Sequence, residues 1–184
     1  LVSLGADLMA VTGAGTVAWT SPFSLGADVE ISALTSVGLA GTASLAGQAL
    51  TVTSNAVTLA GVALGGGDLV VQPSLDTTPV GIHTSANTFN VSASELQAIT
   101  GLGTVTIGRA TGTGAITIGA DGPVDLNASG FDLSIRGGVT TFADTLTLPD
   151  DTTFGVDADG VASSGGLDLV VGGALGGLNL VSTA

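Results

Sequence analysis

The chain has 184 residues, the length of one domain, with 45% hydrophobic residues, only 3% aromatics and no cysteine. Its core must therefore be built from Leu, Val, Ile and Ala in thin layers, without disulfides or metal–thiolate sites. Fifteen acids against two arginines give a net charge of −13, which excludes a nucleic-acid partner and attraction to anionic membrane surfaces, because both need cations to neutralise phosphates.

The first element signal is a repeat. Ser3-Leu4-Gly5-Ala6-Asp7-Leu8 recurs as Ser24-Leu25-Gly26-Ala27-Asp28-Val29, a spacing of about 21 residues and within the solenoid range. Residues 8–27 and 31–67 carry no charge. Both runs are broken by Gly, filled with Ser and Thr, and lack Lys or Arg flanks, so they predict strands and turns and no membrane span. Asp68-Leu69-Val70-Val71 recurs as Asp168-Leu169-Val170-Val171, beside glycine-rich strings in both cases.

Ala93–Gly101 predicts one helical turn, and no long helix is expected anywhere. From residue 105 onward, short alternations succeed one another: Val105-Thr106-Ile107, Ile116-Thr117-Ile118, Leu133-Ser134-Ile135, Leu146-Thr147-Leu148 and Leu167-Asp168-Leu169. Period two buries one face and wets the other, so Val105, Ile107, Ile116, Ile118, Leu133, Ile135, Leu146, Leu148, Leu167 and Leu169 are expected inside. Three such strands per turn give a coil of about 21–25 residues and roughly eight coils. Two-residue hairpin turns have only Asp121-Gly122 and Asp159-Gly160 as candidates, which favours an all-β right-handed parallel β-helix over an antiparallel sandwich.

Chemistry is sparse. His83 is the sole histidine; no nucleophile-elbow motif accompanies it, and it reads as a loop residue. Acid pairs one coil apart, such as Asp132 and Asp157, are expected by chance among 15 acids, and a cleft for acidic sugars would need more than two arginines. No enzyme activity and no resident cofactor are expected. Asp157 and Asp159 are the calcium candidates, since paired turn carboxylates offer hard oxygen ligands; plain solvated aspartates are the other reading. Arg109 and Arg136 read as structural charges, because Asp132 follows Arg109, and Asp157 and Asp159 follow Arg136, by about one coil length; exposed, independent charges are the equal alternative. Asn90-Val91-Ser92 and Asn127-Ala128-Ser129 match the glycosylation sequon, without further support.

The string Phe89-Asn90-Val91-Ser92-Ala93-Ser94-Glu95-Leu96, then Leu102-Gly103-Thr104-Val105-Thr106-Ile107-Gly108-Arg109 and Gly114-Ala115-Ile116-Thr117-Ile118-Gly119, resembles the repeats of filamentous-haemagglutinin-like exoproteins, the giant bacterial proteins exported by two-partner secretion. The likeness is closest over residues 80–184 and looser over 1–79. It implies a single β-solenoid segment across 1–184, exported to the bacterial cell surface, serving as the non-enzymatic shaft of an adhesin. A self-assembling subunit of an extracellular filament or surface layer is the alternative, and a β-helix polysaccharide-degrading enzyme the remote one. Neither end reads as a polar cap, so the expected partners are further coils of the same polypeptide or identical subunits end to end, besides an unknown surface receptor or glycan.

Overall fold

In the computed structural model, described for residues 2–4, 9–10, 15–60, 64–149, 152–157 and 169–171, regular structure is almost entirely strand. The strands in chain order are β1 (Val2–Leu4), β2 (Met9–Ala10), β3 (Thr16–Trp19), β4 (Phe23–Leu25), β5 (Val29–Ala33), β6 (Ser36–Leu39), β7 (Ala43–Ser54), β8 (Val57–Thr58), β9 (Leu64–Gln72), β10 (Val80–Ile82) and β11 (Phe89–Val91). One short helix, α1 (Ala93–Ala98), precedes β12 (Thr104–Gly108), β13 (Ile116–Ile118), β14 (Val124–Asp125), β15 (Asp132–Arg136), β16 (Thr140–Phe142), β17 (Leu146–Thr147), β18 (Phe154–Asp157) and β19 (Leu169–Val171).

Every strand pair among the described residues is parallel, and no hairpin crosses Asp121-Gly122. A first sheet runs β1-β4-β7-β9-β12-β15-β18, with β2 and β5 extending beside β7. A second flank is made by β3-β6-β8 and then by β11-β10-β13-β16-β19, while β14 and β17 pair separately. The first sequence repeat is the pairing register itself: Ser3 faces Ser24 and Leu4 faces Leu25. The longer repeat is different. Leu69–Val71 lies in the first sheet, against β7 and β12, whereas Leu169–Val171 pairs β16 in another sheet.

The step between rungs is less uniform than the even coil expected from the repeat. Leu50 faces Leu69, a step slightly shorter than that coil. Leu69 then faces Val105, a step almost twice as long. The long step has two causes. An extra strand, β11, pairs with β10 directly after it in the chain, with Val80 opposite Phe89. Helix α1 then occupies chain that elsewhere makes a strand, and it packs on β14. Parallel neighbours normally need a connection of about a dozen residues or more; here the short turn 83–88 suffices. The sharp bend is taken by His83, whose φ of 54° is left-handed, and is closed by the bond from its N–H to the Val91 carbonyl.

A single hydrophobic cluster lies between the sheets. Val105, Ile107, Ile116, Ile118, Leu133, Ile135 and Leu146 are buried, as alternation requires, and Leu148 is partly buried. The side chains of Leu167 and Leu169 lie outside the described residues. The few aromatics are placed where they fill most volume. Phe89, Phe131 and Phe142 are fully buried, and Phe142 meets Phe154 edge to face with centroids 5.9 Å apart. Each such side chain removed from water contributes about 1.5–3 kcal/mol.

Two substitutions test this arrangement. Ile118→Asp places a charge at a site with 0% exposure and should lower unfolding free energy by on the order of 3 kcal/mol or more. Thr117→Asp, on the outer face, should change it by no more than about 1 kcal/mol; urea titration reads both. Gly108 has φ +100°, and a Cβ there would sit 1.8 Å from the Arg136 carbonyl oxygen. Gly108→Ala should therefore cost about 1–3 kcal/mol or more, seen as a drop in the urea midpoint.

Candidate functional site

The polar side chains are organised around the rungs. Asp28, Asp68 and Asp132 each stand one residue before the first inward side chain of a rung (Val29, Leu69 and Leu133). Each reaches across the ladder to a backbone N–H of the following rung. Asp28 Oδ1 accepts from Ala49 at 2.8 Å, Asp68 Oδ1 from Thr104 at 2.9 Å, and Asp132 Oδ1 from Thr153 at 2.7 Å. The registers Ala49–Asp68 and Thr104–Asp132 join these pairs into one column. Acids therefore occupy alternate rungs, separated by Ala49 and Thr104. Two rungs span about 10 Å, roughly one Debye length at 0.1 M salt, so the column gathers acceptors without adjacent like charges. The sequence signal was the recurrent Asp-apolar-x-apolar pattern. Its repetition was legible; its role as an inter-rung acceptor was not.

Arg109 does not pair with Asp132. Its Nη1 donates to the carbonyls of Pro73 and Ser74 at 3.0 and 3.3 Å, and its Nε lies 2.8 Å from Asp76 Oδ1. That last contact is poorly aligned for a hydrogen bond, so its attraction is Coulombic. Thr111 Oγ1 donates to the same carboxylate at 2.9 Å, and the Asp76 carbonyl accepts from the N–H groups of Thr113 and Gly114. The reason for the changed partner is register. Asp132 faces Thr104 at the opposite end of the strand, while the 73–79 connection folds back beside Arg109. Both charged groups are partly exposed, so the pair adds little stability and mainly fixes the connection. Arg136 and Asp157 are register partners on the adjacent strands β15 and β18. Asp157 is exposed at the end of β18, and Asp159 lies outside the described residues. No group of three His, Asp or Glu side chains suited to a metal ion occurs among the described residues.

His83, Ser85 and Asp121 share one corner. The Ser85 N–H and hydroxyl both donate to Asp121, and the Asp121 N–H donates to the His83 carbonyl. Nucleophilic catalysis would require the imidazole between hydroxyl and carboxylate. Here the serine bonds the carboxylate directly, which clamps the 83–88 turn instead of activating an oxygen. Asn90 is likewise committed, its Oδ1 accepting from the Thr84 N–H at 2.9 Å. Asn127 is exposed in the turn after β14, with its N–H donating to Asp125 Oδ1.

Helix α1 is short but strongly anchored. Ser92 and Glu95 form a capping box. Glu95 Oε2 accepts from the Ser92 N–H, while Oε1 accepts from the Leu59 N–H of an earlier rung, both at 2.8 Å. Gln97 donates to the Asp125 carbonyl of a later one at 2.8 Å. The helical turn was predicted from the sequence; its role as a bridge between rungs was not.

Replacing Asp68 by Ala should cost about 0.5–1.5 kcal/mol by removing the acceptor for the Thr104 N–H, while Asp68→Asn retains an acceptor oxygen and most of that stability. Urea unfolding of the two variants reads the difference, and equal losses would assign the effect to charge instead. No family model, no curated protein and no solved structure matches the chain.

Proposed function

We propose that the chain is a segment of right-handed parallel β-helix that serves as the structural shaft of a secreted bacterial surface adhesin of the filamentous-haemagglutinin-like kind. The observation that carries this reading is the uniformly parallel pairing between successive chain segments, Leu50 with Leu69 and Leu69 with Val105, around one apolar core. Parallel crossovers are right-handed in about 98% of cases, which supports the handedness. The polar groups support a scaffold. Among the described residues, Asp28, Asp68, Asp132, Glu95 and Arg109 each bond backbone N–H or C=O groups of neighbouring segments, the use expected of a scaffold. A shaft displays whatever lies at its ends, so adhesion to a receptor or glycan belongs to other parts of the assembled protein. No helix among the described residues is long and apolar enough to cross a membrane.

The native protein tests the proposal directly. Antibodies raised against residues 1–184 should detect an exported, surface-exposed product many times heavier than 17.5 kDa, in which the Asp-apolar-x-apolar rung pattern continues on both sides. A cytosolic product no heavier than this segment would overturn the reading.

A further inference from the structure

Three polar side chains on the outer face of the first sheet are linked by hydrogen bonds across adjacent strands. Glu30 lies on β5, Thr53 on β7 and Gln72 on β9. Thr53 and Gln72 are register partners, and Glu30 stands diagonally across from Thr53, opposite Thr51. The neighbours Ile31, Val52 and Val71 are fully buried, so alternation puts the three polar groups together on the other face. Thr53 Oγ1 donates to Glu30 Oε1 at 3.4 Å, and Gln72 Nε2 donates to Thr53 Oγ1 at 2.9 Å. Although it faces outward, Thr53 is only 7% exposed, between the half-buried Glu30 and Gln72. Its hydroxyl therefore sits between a carboxylate able to take its proton and a carboxamide able to be attacked by its oxygen. The Gln72 Cδ is one bond from Nε2, so it lies no more than about 4.2 Å from Oγ1. Turning the amide about its Cγ–Cδ bond brings the two atoms toward the separation of about 3–3.5 Å from which bonds form.

We propose that Thr53 and Gln72 join in an intramolecular ester with loss of ammonia, Glu30 acting as the general base. Oγ1 attacks Cδ while Glu30 takes the hydroxyl proton. Glu30 then passes that proton to the departing nitrogen. The Oγ1–Cδ bond forms, the Cδ–Nε2 bond breaks, ammonia leaves, and Glu30 ends as the carboxylate it began as. The step is an acyl transfer without change of oxidation state, and it needs no co-reactant. Holding nucleophile, base and amide on three hydrogen-bonded strands supplies the proximity that a free alcohol and amide lack. Burial of Thr53 keeps water from competing for the acyl carbon and from hydrolysing the ester, and ammonia escaping into bulk solvent draws the reaction forward. The chain holds neither cysteine nor lysine, so disulfides and lysine isopeptide bonds are closed to it, whereas a Thr–Gln ester is open. The bond ties β7 to β9, just before the long step from Leu69 to Val105, and keeps these two rungs from parting under load. The inference concerns the covalent structure of this chain and stands apart from the adhesin reading.

Mass spectrometry gives the test. The folded wild-type chain, held at neutral pH, should become lighter by one ammonia, and its peptic digest should contain a peptide in which residues of β7 and β9 are joined. Alkaline hydroxylamine should split that peptide in two. Thr53→Val, which keeps the branched shape without the hydroxyl, and Gln72→Met should stay at full mass with an unchanged circular dichroism spectrum. Glu30→Gln should form the cross-link at least about tenfold more slowly. The proposal is overturned if the folded wild type keeps its full mass, if the loss of ammonia persists in Thr53→Val, or if Glu30→Gln reacts as fast as the wild type.

Discussion

The constraint on which the rest of the structure depends is the parallel ladder. A strand of a few residues cannot satisfy its own N–H and C=O groups, and here every described strand pairs in parallel with another segment of the chain. Parallel pairing in register forces the side chains into columns, one residue per strand. A column admits whatever its neighbours above and below tolerate. The inner columns hold mainly Leu, Val, Ile and Phe because the space between the sheets is dry, with Thr140 and Ser54 buried among them. The outer columns hold Ser, Thr, Gly and Asp.

That columnar logic also explains the charge. Fifteen acids with two cations are a poor set for ion pairing, and among the described residues one ion pair forms, Arg109 with Asp76, while other acids are used differently. Asp28, Asp68, Asp132 and Glu95 act as acceptors for backbone N–H groups of other rungs. A carboxylate needs no cation for this; it needs a donor with no other acceptor, and such donors arise where the chain enters or leaves a strand. Spacing acids on alternate rungs keeps their mutual repulsion small at physiological ionic strength.

Much of the fold was legible because its two periods are simple. The alternation of Ile116-Thr117-Ile118 or Leu133-Ser134-Ile135 sets inside and outside, although Thr106, between Val105 and Ile107, is buried as well, and the recurrence of Ser-Leu-Gly-Ala-Asp sets the first register. What was not legible has physical reasons. The close doubling of β10 and β11 depends on a left-handed His83, a conformation no side-chain pattern announces. The partner of Arg109 depends on how the 73–79 connection folds back, which is a matter of loop geometry. The recurrence of Asp-Leu-Val-Val in two different sheets shows why. A four-residue string fixes burial alternation, but not which flank it joins.

The doubled strand has a kinetic consequence. Most described pairs close a much longer loop before any hydrogen bond rewards them, as Leu69 and Val105 do, whereas β10 and β11 close a loop about a quarter as long as that one. Loop-closure entropy grows as about (3/2)RT ln n, so the short pair forms with an advantage of roughly 1 kcal/mol over the long one. It also carries Phe89, Val91, Val80 and Ile82, all buried. Residues 80–91 are therefore expected to be the seed from which rungs propagate in both directions, so that the chain assembles outward from its middle. Pulse-labelled hydrogen exchange during refolding would see Ile82 and Val91 amides protected first; protection appearing first in β4 to β6 would place the seed elsewhere.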